Sequence, residues 1–203
     1  MTGRSALRQL ALALALLAPL PALAGAQIYE PLADSVRAAL SAAVSDRPPP
    51  TLNFRHPADA RQWLLEMSRR LASRVPDRDV RLRLLKSVQY EATRAGLDPQ
   101  LVLGVIDVES KFRKYAVSAA GARGYMQVMP FWVKLIGRQR DNLFHLRTNL
   151  RYGCVILRHY LDVEKGNYFR ALGRYNGTLG QAAYPDKVLK AWRGRWKYKG
   201  PTH

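Results

Sequence analysis

The chain has 203 residues with 33 lysines and arginines against 15 acids, a formal charge of +18, and 48% of its residues are hydrophobic. That length and apolar content allow one domain with a full core plus extra segments, and the single cysteine, Cys154, excludes an internal disulfide framework. The four histidines, at 56, 145, 159 and 203, show no ligand spacing, so no metal and no other cofactor is expected.

The first segment reads apart from the rest. Arg4 and Arg8 precede an apolar run over 10–20 that is short for a bilayer span, and small residues follow at 22–26. Residues 1–24 are expected to be a cleaved secretory signal, with cleavage after 26 and an uncleaved anchor as the other readings. No cysteine follows, so lipid attachment there is not expected. Without Arg4 and Arg8 the charge is +16. Inside a cell such a charge favours nucleic acid, whereas export turns it towards an anionic polymer or surface outside the cytoplasm. The expectation is therefore an exported protein, periplasmic or secreted, with no nucleic-acid partner and no membrane span after cleavage.

Residues 27–57 form an N-terminal segment in which Leu32, Val36 and Leu40 make a short amphipathic patch, and Arg47 is followed by Pro48, Pro49 and Pro50, a stiff linker. A helical extension is expected over 58–95. Its first helix, about 58–75, sets Ala60, Trp63, Leu64, Met67 and Leu71 on one face with arginines opposite. Its second, about 79–94, sets Val80, Leu84, Val88 and Ala92 in step, with Gly96 as its stop. Asp98 then reads as an N-cap and Pro99 as the first residue of a third helix. Leu101, Val102, Val105, Val108 and Phe112 recur at helical spacing, and Glu109, four after Val105, belongs to the same stripe. Asp107 points about 200° round the helix from it, so the two acids cannot share a site there. A carboxyl among aliphatic groups has its pKa raised by burial and suits a general acid; the other reading of Glu109 is an arginine's partner.

Over 116–129 the period disappears, with Gly121 and Gly124 marking a loop delivered straight after the Glu109 helix. Pro130 opens a short helix that Gly137 closes. A helix over about 149–164 carries Leu150, Cys154, Leu157 and Leu161 on its stripe, which makes Cys154 a buried small hydrophobe. Asn167 caps a short helix through Arg174, after which Tyr175, Asn176 and Gly177 turn the chain. Pro185 opens the last helix, with Val188, Leu189 and Trp192 inward, before a basic aromatic tail over 194–203. With no alternating strand and no repeat, the fold class is all-α.

Four stretches in this order, ESKF at 109–112, AVSAAGARGYMQVMP at 116–130, NLFHLRTNLRYGCVIL at 142–157 and RYNG at 174–177, resemble the catalytic domain of the soluble lytic transglycosylases. This is a lysozyme-like helical fold related to goose-type lysozyme, and the resemblance places the catalytic domain at 96–193. It implies that the partner is the glycan strand of peptidoglycan. It also implies cleavage of the β-1,4 bond between N-acetylmuramic acid and N-acetylglucosamine with a 1,6-anhydromuramic end, Glu109 acting as acid and then base without a cofactor. A hydrolytic muramidase on the same fold and an inactive wall-binding protein are the alternatives. By the same resemblance Ser118 and Gln127 line the sugar cleft, and Met129 forms an apolar wall unless it is core. Tyr175 lies near the acid, bonding the carboxyl or the substrate, and Asn176 fixes the loop or contacts sugar. Where the family usually has leucine this chain has Tyr125, expected to add stacking surface, and its usual alanine before Tyr-Asn is Arg174. Asp186 is the one acid near the last helix and reads as a helix-start residue. Residues 27–95 carry no motif.

Overall fold

In the computed structural model, residues 27–45, 52 and 54–200 are described. The expected signal segment, the proline run and the last three residues lie outside the described residues. Among the described residues there are eight α-helices and no strand: α1 (Asp34–Ser45), α2 (Pro57–Leu71), α3 (Arg78–Arg94), α4 (Pro99–Glu109), α5 (Phe131–Ile136), α6 (Leu146–Val163), α7 (Tyr168–Asn176) and α8 (Ala183–Arg193). The all-α class stands. None of these helices is long and apolar enough to cross a membrane.

The axis of the fold is α4. Asp98 caps it as expected, its Oδ1 accepting the N–H of Gln100 at 2.7 Å, and every residue from Pro99 to Ile106 is buried. The single apolar stripe is thus corrected: α4 is apolar all round, the pattern of a helix enclosed by others. Its neighbours are α8 and α3; α6 in turn packs on α3, α7 and α1, and α2 on α3. Gly104 lets α8 approach, since a Cβ there would lie 3.3 Å from both Trp192 N and Val188 O. Trp192 Nε1 donates to Asp98 Oδ2 at 2.8 Å, fixing the C-terminal end of α8 against the N-terminus of α4.

The segments that precede the resemblance share this core. Trp63, Met67 and Leu71 of α2, Leu84 and Val88 of α3, and Val44 of α1 are buried in one cluster with Leu101, Ile106, Leu157 and Tyr175. Cys154 is buried there too, and burial raises its thiol well above the ordinary range. Between α3 and α6 lies a buried charge cluster that the helical patterns did not show. Glu91, with no exposed side-chain surface, faces Arg94 at 3.2 Å, Arg151 at 3.1 Å and Arg147 at 3.7 Å. Arg94 Nη2 also donates to Ala43 O, and Arg151 Nη1 to Val44 O, so two of these cations hold the C-terminal carbonyls of α1.

Several boundaries differ from expectation. The α2 helix stops at Leu71, with Pro76 ahead disfavouring helical backbone before it. The α6 helix starts at Leu146, which places Asn149 inside it. The α7 helix continues through Asn176 and ends on Gly177 at φ +75°, so Tyr175 and Asn176 are helical rather than turn residues. The α8 helix starts at Ala183, two residues before Pro185. The tail is not simply appended. Trp196 is fully buried against Phe112, ring centroids 5.4 Å apart, and Arg70 Nη1 donates to the carbonyls of Arg195 and Lys197.

Candidate active site

Glu109 is the last helical residue of α4, and the chain leaves it sharply. Ser110 is the C-cap, its Oγ donating to Ile106 O, and Lys111 and Phe112 follow at φ +51° and +64°. Phe112 is therefore not helical, contrary to its place in the apolar spacing. Left-handed backbone at two consecutive non-glycine residues costs about 1–3 kcal/mol each. Burial of the Phe112 ring against Trp196 opposes that strain. The result is a carboxyl held at the rim of the helix bundle, partly exposed, with its backbone fixed from both sides.

Its partner is a phenol and not an arginine. Tyr184 Oη, from the first turn of α8, donates to Glu109 Oε1 at 2.6 Å. Asn176 of α7 turns its amide towards the same carboxyl; Nδ2 is buried without an aligned partner, and Oδ1 accepts from Thr178 Oγ1 at 3.2 Å. Desolvation dominates and pushes the Glu109 pKa from 4.5 up to about 7, while the Tyr184 and Asn176 donors pull it part of the way back. Tyr175 and Tyr184 are both buried and both feel the Glu109 charge, and their phenols are held well above the ordinary range, burial being the first cause. Tyr184→Phe removes the stronger of the two donors to the carboxylate. The variant is expected to raise the Glu109 pKa further, by about one unit. Carboxyl titration by NMR checks this, and an unchanged value would mean that the phenol does not hold the ionised form.

The loop over 116–129 folds through single bridges between Val117 and Arg123 and between Arg123 and Val128. Its hydrogen bonds run largely inward. Ser118 Oγ accepts the Ala122 N–H, and Gln127, at φ +50° and almost fully buried, donates both amide hydrogens to Ala116 O and Gly124 O. Asn149 of α6 pins the loop from below: Oδ1 accepts the Met126 N–H at 2.8 Å, and Nδ2 donates to Arg123 O and Leu143 O. Gly124 is required by that contact, because a Cβ would fall 2.5 Å from Asn149 Nδ2 and 2.6 Å from Leu143 O at a φ of +74°. Tyr175 Oη donates to Met126 O at 2.7 Å, so in this structure it braces the loop and does not bond the carboxyl. The rotation follows from the longer α7 helix, which carries Tyr175 into the core. Tyr125 is also buried, so its ring is packing rather than stacking surface. Met129 is half-buried at the edge of the core, and Ser118 is partly exposed.

A segment without a motif completes this wall. The buried Gln27 accepts the Met129 N–H at its Oε1, 3.1 Å away, Tyr29 meets Phe131 edge-on at 5.7 Å, and Glu30 pairs with Arg174 at 3.1 Å. Arg174 also pairs with Glu164 at 2.5 Å. The structure thus brings Glu109 and Asn176 together and links Tyr175, Met129 and Gln127 to them through the loop. Sequence reasoning missed Tyr184, Asn149 and Gln27. A buried-side tyrosine one residue before Pro185 was the available signal for Tyr184, and a polar residue on the α6 stripe was that for Asn149.

The transglycosylase SLT domain family matches residues 86–191, just over half of the chain. The chain belongs to this family. The SLT domain match opens inside α3 and closes within α8, so it contains Glu109, the loop, Asn149, Asn176 and Tyr184. A transglycosylase of Enterobacteria phage PRD1 is 37% identical over 111 residues, covering 51% of this chain and 39% of the phage protein. Membrane-bound lytic murein transglycosylase C of Histophilus somni strain 2336 is 46% identical over 114 residues, covering 48% and 31%. The protein of that name from Glaesserella parasuis serovar 5 is 40% identical over 84 residues, covering 37% and 23%. The SLT chain therefore spans between 23% and 39% of the length of these relatives. No solved structure matches it.

Proposed function

We propose that this chain is an exported peptidoglycan lytic transglycosylase that acts through Glu109 alone. The observation that supports it is the carboxyl raised to about 7 by desolvation and held by Tyr184, a shift to which no second carboxylate contributes. Glycosidases that use water or a covalent intermediate place a second acid across the sugar. A single acid suffices if the nucleophile is the substrate's own hydroxyl. Protonated Glu109 gives its proton to the oxygen joining N-acetylmuramic acid to N-acetylglucosamine, and the C1–O bond breaks with the electron pair leaving on that oxygen. The cation developing at C1 is stabilised by the substrate's N-acetyl oxygen. The Glu109 carboxylate then takes the proton of the C6 hydroxyl, O6 bonds C1, and the acid is restored with a 1,6-anhydromuramic end as product. A pKa near 7 serves both halves, since the group must give and accept a proton at one pH.

In this reading Tyr184 stabilises the carboxylate between the two halves, and Asn176 reinforces it. Ser118 and Met129 offer the loop's surface to sugar, while Gln127 and Tyr175 hold that surface in shape. The apolar run after Arg4 and Arg8 and the basic charge support export towards an anionic wall. Digestion of purified sacculi, with the ends read by mass spectrometry, tests the proposal. Anhydro ends are expected; reducing ends would mean hydrolysis, and no cleavage would leave a wall-binding role.

A further inference from the structure

Met129, which in the proposed reading faces sugar, is held by a residue from outside the SLT match. Gln27 precedes the matched residues 86–191, and its Oε1 accepts the Met129 N–H at 3.1 Å. No backbone carbonyl takes that N–H among the described residues. The Gln27 side chain is only 4% exposed, and its Nε2 is buried and turned towards the Tyr175 phenol without an aligned hydrogen bond. One amide therefore meets both Met129 and Tyr175, and the Tyr175 phenol in turn donates to Met126 O.

The amide is itself fixed by its surroundings. Tyr29 meets Phe131 edge-on, and Glu30 pairs with Arg174, the residue before Tyr175. Farther along, Ser41 Oγ of α1 donates to Ile136 O at 2.9 Å. The segment over 27–45 thus grips α5 at both ends, at the residue before Pro130 and at the last residue of the helix. A six-residue helix is too short to hold itself in water, and this one has no side-chain cap. The place of Met129 is set by what clasps it. Glu109 is held differently: its donors Tyr184 and Asn176 come from α8 and α7. We propose that Gln27 is a positioning residue for substrate binding, setting through the Met129 N–H where the Met129 side chain stands against sugar, an inference that rests on the transglycosylase reading. The matched domain supplies the acid, and the segment ahead of it trims the sugar wall.

The test uses Gln27→Met, which keeps the length of the side chain and removes its amide, and Gln27→Glu, which restores an oxygen to accept the N–H. On glycan strands Gln27→Met is expected to raise KM about five- to tenfold, with kcat and its pH profile kept, and Gln27→Glu to recover most of the loss. Met129→Ala is measured alone and together with Gln27→Met. If both act by one route the two KM rises do not add, and the double variant is no worse than Met129→Ala. An unchanged KM in Gln27→Met, additive rises, or Gln27→Glu no better than Gln27→Met would each overturn the inference. So would a kcat that falls in step with the melting temperature, which would leave Gln27 a purely structural role. Wild-type protein that cleaves no strand would bring down the transglycosylase reading and this inference with it, a result distinct from intact cleavage that ignores Gln27.

Discussion

Glu109→Gln is expected to lower turnover on glycan strands by about a thousandfold or more while removing a loss of stability that the wild type undergoes as pH rises from 4.5 to about 7. In the proposed mechanism the first effect follows from loss of the proton that starts the reaction, since a positioned general acid contributes about 10²–10⁴-fold and the same group would also be the base. The second is a linkage effect. The Glu109 carboxyl titrates at 4.5 when ordinary and at about 7 in the fold. Between those values the folded chain holds a proton that the unfolded chain has lost. Stability from this group is therefore present below 4.5 and falls as pH rises through 7, by about 3 kcal/mol in all. Glutamine carries no such proton. Urea unfolding of both proteins from pH 4 to pH 8 should show the variant gaining on the wild type by that amount. A constant difference would mean that Glu109 is not desolvated, and the acid-then-base assignment would lose its physical ground.

Asn149→Ala is expected to remove about 3–5 kcal/mol of stability and most activity together. The Met126 N–H and the Leu143 carbonyl depend on this one amide inside the fold, and the Arg123 carbonyl, which also accepts the Val128 N–H, loses one of its two donors. Each buried group left unpaired costs about 1–3 kcal/mol, against a total stability of about 5–15 kcal/mol for a domain. Asn149→Asp separates shape from chemistry. It keeps the acceptor for Met126 but aims an oxygen at two carbonyls, so it should be as damaging as alanine and worse at high pH. Denaturant midpoints with kcat on the same preparations test this. Near-native stability for the aspartate variant would show that the donor half of the amide is not needed.

The helices that bury one face, and the cap at Asp98 and Pro99, were legible because their signals are local: spacing, a short acceptor side chain, a ring that fixes φ. Glu109 was legible for the same reason. Tyr184 was not, because the bond that matters spans 75 positions and the nearest helix-start signal, Pro185, hides the turn before it. Asn149 looked like a helix start when it lies inside one, and its partners are loop backbone groups that no side-chain pattern announces. Glu91 and Trp196 were hidden by a prior. Charges and basic tails usually face water, yet here three arginines make a buried glutamate tolerable, and the indole finds Asp107. Tyr175 and Asn176 read as turn residues because Gly177 follows them, whereas α7 runs through both and carries the Tyr175 ring into the core.

The bond between Tyr184 and Glu109 joins the middle of the chain to its last helix, and this gives the order of synthesis a consequence. A growing polypeptide displays Glu109 long before α8 has been made, and until α8 docks at Gly104 the carboxyl lacks its Tyr184 donor. The balance between burial, which raises the Glu109 pKa, and the Tyr184 donor, which lowers it, is thus complete only once α8 has been made. A product truncated ahead of residue 183 would contain the acid, the loop and Asn149 and still lack the phenol that holds the carboxyl.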